Sequence, residues 1–227
     1  TILFMIIVMA WFIKKMIKKI ATLFLLTIFV SATNAAVIVN DASFENINID
    51  PNSFQYNPVS PDWTFIDEAG VIDPFAAFSS LEAPDGEQFS FIQRGGSFFQ
   101  DIFFPVAGEY TISYFEAGRI PIPGLTHIQG NLGYEISVGG DVFHTDSTFT
   151  SQSFSLVEAN FFTTAGTHSI TFKGVTFSSD DTGYFDAISI NEVSSIPAPA
   201  AIWLFGSGLI GLIGVRKKSS IASTLSA

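Results

Sequence analysis

Apolar and polar residues alternate through much of the chain between residues 36 and 199, and this period of two limits what the segment can fold into. The alternation is clean in Tyr134–Val138, His168–Val175 and Phe185–Ile190, and Phe115 interrupts it in Glu109–Ala117. Successive side chains of a β-strand point to opposite faces, so the pattern predicts strands buried on one face. No sustained helical period occurs between residues 36 and 199.

Turn residues separate these segments at short intervals. Gly139–Gly140 joins two strand-like segments as a two-residue hairpin, and Pro84–Gly86 and Ala165–Thr167 mark further turns. Many short strands with this spacing predict an all-β fold, an antiparallel β-sandwich over residues 36–192. The chain has 25 Phe and no Cys, so we expect phenylalanine packing, without disulfides, to hold the core.

Charge is divided unevenly along the chain. Of ten Lys and Arg residues only Arg94, Arg119 and Lys173 lie between residues 36 and 196, which contain all 21 Asp and Glu residues. This part therefore carries a formal charge of −18. Such a charge repels phosphate backbones and argues against nucleic acid as a partner. It is compatible with divalent cations, or simply with solubility.

The first 35 residues predict export. Residues 16–35 combine a positively charged start, an apolar stretch too short to span a bilayer, and small residues before a cleavage position between Ala35 and Ala36. We therefore expect an N-terminal signal helix that signal peptidase removes, with residues 1–15 as an over-extended reading frame. The alternative is a longer N-terminal anchor.

The opposite end predicts a transmembrane helix. Residues 193–199 form a proline-containing linker, and residues 200–215 carry no charge. As a helix they would reach about 24 Å, enough to cross a locally thinned bilayer. Trp203 would lie near the outer interface, and the positive-inside rule keeps the basic tail, residues 216–227, in the cytoplasm. The charges of this tail are Arg216, Lys217 and Lys218.

The order of these parts resembles the PEP-CTERM sorting signal. Pro197, Ala198 and Pro199 precede the apolar segment and the basic cluster, as in that family. The resemblance implies an exosortase-like transpeptidase as partner, and a protein anchored first in the membrane through its C-terminus and then placed at the cell surface or outside the cell. Ala198 stands where the family has Glu, and residues 219–227 extend past the basic cluster. A plain C-terminal anchor is the alternative.

The middle of the chain resembles the galactose-binding-like jelly rolls that include many carbohydrate-binding modules. The likeness lies in the order of short motifs across residues 37–192, from SFEN through PDGEQFSF and GEYTISYF to YFDAISI. The resemblance implies a structural calcium held by Glu45 and Asp186, and carboxylates are suitable calcium ligands. The alternative is that Asp186 bonds a backbone amide and that Glu45 is merely exposed.

Motifs of common catalytic sites are missing from the sequence. It has no nucleophile elbow, no zinc motif and no phosphate-binding loop, and His127, His144 and His168 are far apart. We therefore expect a protein without enzymatic activity.

Sugar binding needs an exposed aromatic ring flanked by polar groups, because the CH faces of sugars stack on rings. Trp63, Tyr56 and Tyr134 are candidate rings, and Arg119 is a candidate donor to sugar hydroxyls. Trp63 packed in the core is the alternative. The sequence thus predicts an exported surface or matrix protein that binds extracellular polysaccharide or is structural. A secreted glycan-active enzyme on a jelly-roll scaffold is the competing hypothesis.

Overall fold

The computed structural model describes Trp11, Lys15 and residues 36–193, except residues 77, 122–123, 125–127 and 178–179. The chain divides into two units, residues 1–35 and 36–227. Trp11 and Lys15 of the first unit are helical. Among the described residues no helix is long and apolar enough to cross a membrane. The predicted signal peptide, sorting motif and transmembrane helix lie outside the described residues.

The described part of the second unit forms twelve strands. The first six are β1 Phe54–Tyr56, β2 Thr64–Ile66, β3 Ala69–Ile72, β4 Phe89–Gln93, β5 Ser97–Phe104 and β6 Gly108–Gly118. The other six are β7 Ile128–Gln129, β8 Gly133–Val138, β9 Asp141–Ser147, β10 Ser155–Thr163, β11 Gly166–Gly174 and β12 Asp180–Glu192. One sheet has the order β1-β3-β4-β12-β6-β10, with β7 beside β12, and the other has the order β2-β5-β11-β8-β9.

Strand pairing confirms the prediction of an all-β, antiparallel fold. Every described pair of neighbouring strands is antiparallel except the short β7–β12 pair. The four segments with alternating residues became β6, β8, β11 and β12. Gly139 and Gly140 join β8 to β9 with φ values of 58° and 94°, a conformation that glycine adopts without strain.

The two sheets pack face to face around an aromatic core, as the phenylalanine content predicts. Phe98 of β5 stacks on Phe172 of β11 with 4.9 Å between ring centroids. The same Phe98 ring lies 5.9 Å from Phe185 of β12, which belongs to the opposite sheet. All three side chains are fully buried. Burial of such large apolar surfaces supplies the main stabilisation of a domain without disulfides.

A second, smaller core covers the outer face of the seven-stranded sheet. Residues 73–83, here called the strap and described except for Ala77, lie over this face. Phe78 of the strap packs 5.4 Å from Phe91 of β4, and its carbonyl accepts a hydrogen bond from the Tyr184 hydroxyl of β12. The strap therefore buries part of the outer face.

Candidate functional site

Polar and aromatic side chains meet at one end of the outer face, where β1, β4, β6 and β12 end or begin. The register places Thr182 opposite Gln93, and the Arg119 amide donates to the Thr182 carbonyl. We call this group the Tyr56 patch; it consists of Tyr56, Gln93, Arg94, Arg119 and Asp180. Positions an even number apart on a strand point the same way, so Gln93 shares the outer face with Phe91, and Asp180 shares it with Tyr184.

Tyr56 is the exposed ring of the patch. Its side chain is 39% exposed, yet the ring packs against Phe91 at 5.0 Å and Phe54 at 5.7 Å. The hydroxyl donates to Oε1 of the buried Gln93. Desolvation, followed by the negative charge of Asp180, raises the pKa of Tyr56, so the phenol stays neutral at physiological pH. Tyr56 thus presents a fixed, uncharged ring to solvent.

Gly70 makes this position of Tyr56 possible. It lies opposite Tyr56 in the β1–β3 ladder and opposite Phe91 in the β3–β4 ladder. A Cβ at residue 70 would come 2.0 Å from the Gln55 carbonyl oxygen and 3.0 Å from the Phe91 ring. A glycine is therefore required for β1 to approach closely enough to place Tyr56 on Phe91.

Arg119 lies beside Tyr56 and is 5% exposed. Its Nη1 lies 3.5 Å from Asp180 Oδ2 and 3.4 Å from Thr182 Oγ1, and its guanidinium carbon lies 4.8 Å from the centre of the Phe78 ring. The buried Nε has no hydrogen-bond partner among the described residues. A guanidinium offers five N–H donors, so Arg119 retains donor capacity that the protein does not use.

Arg94 completes the patch from the turn between β4 and β5. Its φ of 49° lies in the left-handed region, which residues other than glycine seldom occupy. The Gly96 amide donates to the Gln93 carbonyl across this turn. The Arg94 guanidinium is 3.6 Å from Glu68 Oε1, and both side chains are about half exposed. Such an exposed ion pair contributes little stability. Because the Arg94 side chain is half exposed, its guanidinium is accessible to a ligand.

The structure corrects two of the four predicted glycan contacts. Trp63 is 2% exposed, and its Nε1 donates to the Asp41 carbonyl, so it belongs to the core as the alternative proposed. Tyr134 is fully buried because β8 turns it inward, where it donates to Glu116. Neither ring can stack on a sugar. Arg119 is also buried, but it borders the exposed Tyr56, which the sequence named as a candidate.

The predicted calcium residues lie close together and already bind backbone amides. Glu45 Oε1 accepts from the amides of Glu87, at 2.8 Å, and Gln88, at 2.9 Å. Asp186 Oδ2 accepts from the Asp85 amide at 3.0 Å, and Oδ1 accepts from the Ala187 amide at 2.7 Å. These hydrogen bonds agree with the alternative to calcium binding, in which Asp186 bonds a backbone amide and Glu45 is merely exposed. Glu45 is exposed, whereas Asp186 is fully buried.

Among the acidic groups in this region, the carboxyl group of Asp186 has the largest pKa shift. Its pKa is raised to about 7, mainly by desolvation and further by the negative charges of Asp85 and Glu45, while the backbone hydrogen bonds from Asp85 and Ala187 oppose the rise. Among the described residues no group of three or more His, Cys, Asp or Glu has an arrangement that could hold a metal ion. Calcium also accepts backbone carbonyl and hydroxyl oxygens, so carboxylates alone do not decide the fit.

The two described histidines lie on different strands and do not contact each other. His168 of β11 contacts Thr164 at 3.1 Å, and His144 of β9 lies 3.8 Å from Asp146. His127 lies outside the described residues.

Comparison with known proteins finds likeness only at the level of structure. No protein-family model matches the chain. No curated protein matches it. Solved structures that resemble it include several carbohydrate-binding modules. Three of these modules have TM-scores under 0.5, too low for the likeness to indicate function.

The module TmCBM61, solved in complex with β-1,4-galactotriose, is 19% identical over 70% of this chain and 99% of its own, with a TM-score of 0.47. The CBM22-1 xylan-binding domain of Xyn10C from Paenibacillus barcinonensis is 13% identical over 72% and 99%, with a TM-score of 0.45. A family 35 carbohydrate-binding module from Clostridium thermocellum is 12% identical over 56% and 90%, with a TM-score of 0.41.

Proposed function

We propose that the chain is an exported, non-enzymatic surface protein whose jelly-roll domain binds glycan through the Tyr56 patch. The observation that carries this proposal is the exposed Tyr56 ring, held by Phe91 and Gln93 and bordered by Arg119 and Asp180. A sugar presents CH groups to a ring and hydroxyls to the side. The patch offers the ring together with donors and acceptors.

The rigidity of the ring supports binding. A ring held on two sides loses little conformational freedom when a ligand stacks on it, so less of the contact energy is spent on ordering. Tyr56 has packing contacts from Phe54 and Phe91 and a hydrogen bond to Gln93.

A glycan-active enzyme remains the alternative, and the raised pKa of Asp186 is the observation that favours it. A carboxyl group that keeps its proton near neutral pH can serve as a general acid. Asp186 is fully buried, however, and both its oxygens accept backbone amides. A substrate would have no access to this carboxyl group without rearrangement of the strands around it.

Calcium binding at Glu45 and Asp186 is part of the proposal. The negative charges of Glu45 and Asp85 near the buried Asp186 favour a cation. These carboxylates are not arranged as a complete metal site, so the remaining ligands would have to be hydroxyl or carbonyl oxygens. A bound cation would offset this repulsion and hold the first and last segments of the domain together. Calorimetric titration of the full chain with calcium is the test. Heat of binding and a raised melting temperature support the proposal, and neither effect at millimolar calcium contradicts it.

Export and sorting also belong to the proposal, with cleavage after Ala35 and recognition of Pro197 and Pro199. N-terminal sequencing of the secreted protein tests the first step, and a mature chain that retains Met16 contradicts it. Replacing both prolines by alanine tests the second. Loss of C-terminal processing supports an exosortase-like enzyme, whereas unchanged processing favours a plain membrane anchor.

The two ends of β12 support surface display. Asp180 at its start contacts Arg119, while Val193 just after its end donates to the Glu109 carbonyl at the start of β6. The strand has 13 residues, which at about 3.3 Å each separate its ends by about 40 Å. The predicted anchor follows Val193. A chain held by its C-terminus would therefore present the patch at the end remote from its attachment.

Incubation of the full chain, in mild detergent, with the extracellular polysaccharide of its own source tests the proposal as a whole. Retention on the polysaccharide without new reducing ends supports glycan binding. Release of new reducing ends identifies the enzyme instead. Absence of retention on any glycan favours a purely structural protein.

A further inference from the structure

Basic residues are scarce in this domain, and their placement is uneven. Of the three between residues 36 and 196, Arg94 and Arg119 both act on the charge environment of Tyr56. Lys173 lies on the other sheet, where its Nζ is 3.7 Å from Glu135 Oε1. Two of three cations in a domain of formal charge −18 therefore converge on one exposed ring.

The nearby carboxylates form only long ion pairs with these two arginines. Asp180 is 3.5 Å from Nη1 of Arg119, and Glu68 is 3.6 Å from Nη1 of Arg94, each through a single nitrogen. Strong charge-assisted hydrogen bonds between guanidinium and carboxylate are shorter, about 2.7–2.9 Å, and often bidentate. Both ion pairs are therefore loose, and the patch as a whole has a formal charge of zero when Glu68 is counted.

Arg119 adds a second observation. Its side chain is 6% exposed and its Nε is buried without a partner among the described residues. A buried donor without an acceptor is costly, and folded proteins seldom leave one. The protein covers this donor, so Arg119 acts on a bound ligand through its positive charge and not through a hydrogen bond from Nε. The planar fork of a guanidinium matches the two oxygens of a carboxylate better than it matches single hydroxyls.

We infer that the Tyr56 patch binds sugar units that carry a carboxylate, with the exposed Arg94 receiving the carboxylate, the buried Arg119 adding its positive charge, and Tyr56 stacking on the sugar ring. The inference rests on the proposed glycan binding and names its ligand class, the uronate units of an acidic polysaccharide. Elsewhere the acidic domain repels such a chain, so the charge distribution confines binding to this patch.

The test uses three polyuronates, namely polygalacturonate, polyglucuronate and alginate, each paired with its carboxyl-reduced, neutral counterpart. Affinity electrophoresis of the full chain measures retention on each polymer. We expect at least one polyuronate to bind about tenfold more tightly than its neutral counterpart, a factor that corresponds to one good charge-assisted contact. Equal retention on both members of every pair, or retention on neutral polymers alone, overturns the inference and leaves the proposed glycan binding intact. Retention on none of them, nor on the polysaccharide of its own source, contradicts both.

Arg94→Gln and Lys173→Gln form a matched pair of variants, since each removes one positive charge from an exposed side chain. Arg94→Gln should weaken polyuronate binding several-fold and leave binding to the neutral counterpart unchanged. Lys173→Gln should alter neither. An equal loss in the two variants would show that only the total charge matters and would overturn the inference. Melting temperatures of both variants verify that they are folded.

Discussion

The ring of Tyr56 packs edge-to-face on the ring of Phe91, with 5.0 Å between their centroids and 84° between their planes. This contact crosses Gly70, which lies between the two residues in the sheet. It fixes a partly exposed ring on the edge strand β1.

Gly70→Ala tests whether this contact matters for binding. The added Cβ would meet the Gln55 carbonyl oxygen at 2.0 Å, so β1 must move away and carry Tyr56 with it. We expect a loss of about 1–3 kcal/mol of stability, as overpacking usually causes, and a tenfold or greater loss of glycan affinity. Gly108→Ala is the control, because nothing lies within 4 Å of its Cβ position. Wild-type affinity in Gly70→Ala would refute the role of β1.

Arg94→Gly is expected to raise stability while it weakens binding. Arg94 has a φ of 49°, a conformation that costs a residue with Cβ about 1–2 kcal/mol and costs glycine nothing. The larger backbone entropy of glycine in the unfolded chain offsets about 0.5–1 kcal/mol of the gain. Chemical denaturation should therefore show a net gain of about 0.5–1 kcal/mol. Arg94→Gln keeps the strained backbone and should show no gain; equal stability of the two variants would contradict this account.

The raised pKa of Asp186 predicts that the calcium-free protein loses stability as pH rises. The pKa of Asp186 is about 7 in the folded state, against about 4 in an unfolded chain. Between these values the folded state binds a proton that the unfolded state has lost, so the free energy of unfolding falls as pH rises from about 4 to about 7. The slope is at most about 1.4 kcal/mol per pH unit for one group.

Denaturation in EDTA at several pH values measures this slope. Asp186→Asn should flatten it, because the amide does not titrate. Calcium should also flatten or reverse it, since a cation favours the ionised carboxylate. Identical pH profiles with calcium and with EDTA would count against a calcium site at this position.

We expect substitutions of Trp63 to change stability but not glycan binding. Trp63 is 2% exposed and packs 5.1 Å from Phe44 and 5.4 Å from Phe98. Trp63→Ala should cost about 3–5 kcal/mol, as removal of a large buried ring does. Trp63→Phe, which keeps most of the ring volume, should remain folded and bind glycan as the wild type does. A folded Trp63→Phe protein that no longer binds would reassign Trp63 to the site.

Local sequence patterns predicted β6, β8, β11 and β12 but not the face that each side chain occupies. Tyr134 and Tyr56 both have strand-like neighbours, yet Tyr134 points into the sandwich from a central strand and Tyr56 points outward from an edge strand. Only the pairing of strands distant in sequence decides this. The hairpin at Gly139–Gly140, in contrast, depends on two adjacent residues and was predicted correctly.

Burial of Arg119 also depends on distant residues. The strap lies about 40 residues before Arg119 in the chain, and its Phe78 covers the guanidinium. An arginine at the end of a strand is usually solvated, so nothing in the local sequence indicates that this one is buried. Gln93 and Asp180, which complete the patch, likewise become neighbours only through the β4–β12 pairing.

Isothermal titration tests the central claim most directly. The full chain, as wild type and as Tyr56→Ala, is titrated with the polysaccharide that retains the wild type. Phe103→Ala is the control, since Phe103 is 63% exposed on the other sheet. The account predicts that Tyr56→Ala stays folded and loses at least tenfold in affinity, while Phe103→Ala binds as the wild type does. Unchanged affinity in a folded Tyr56→Ala protein would contradict it.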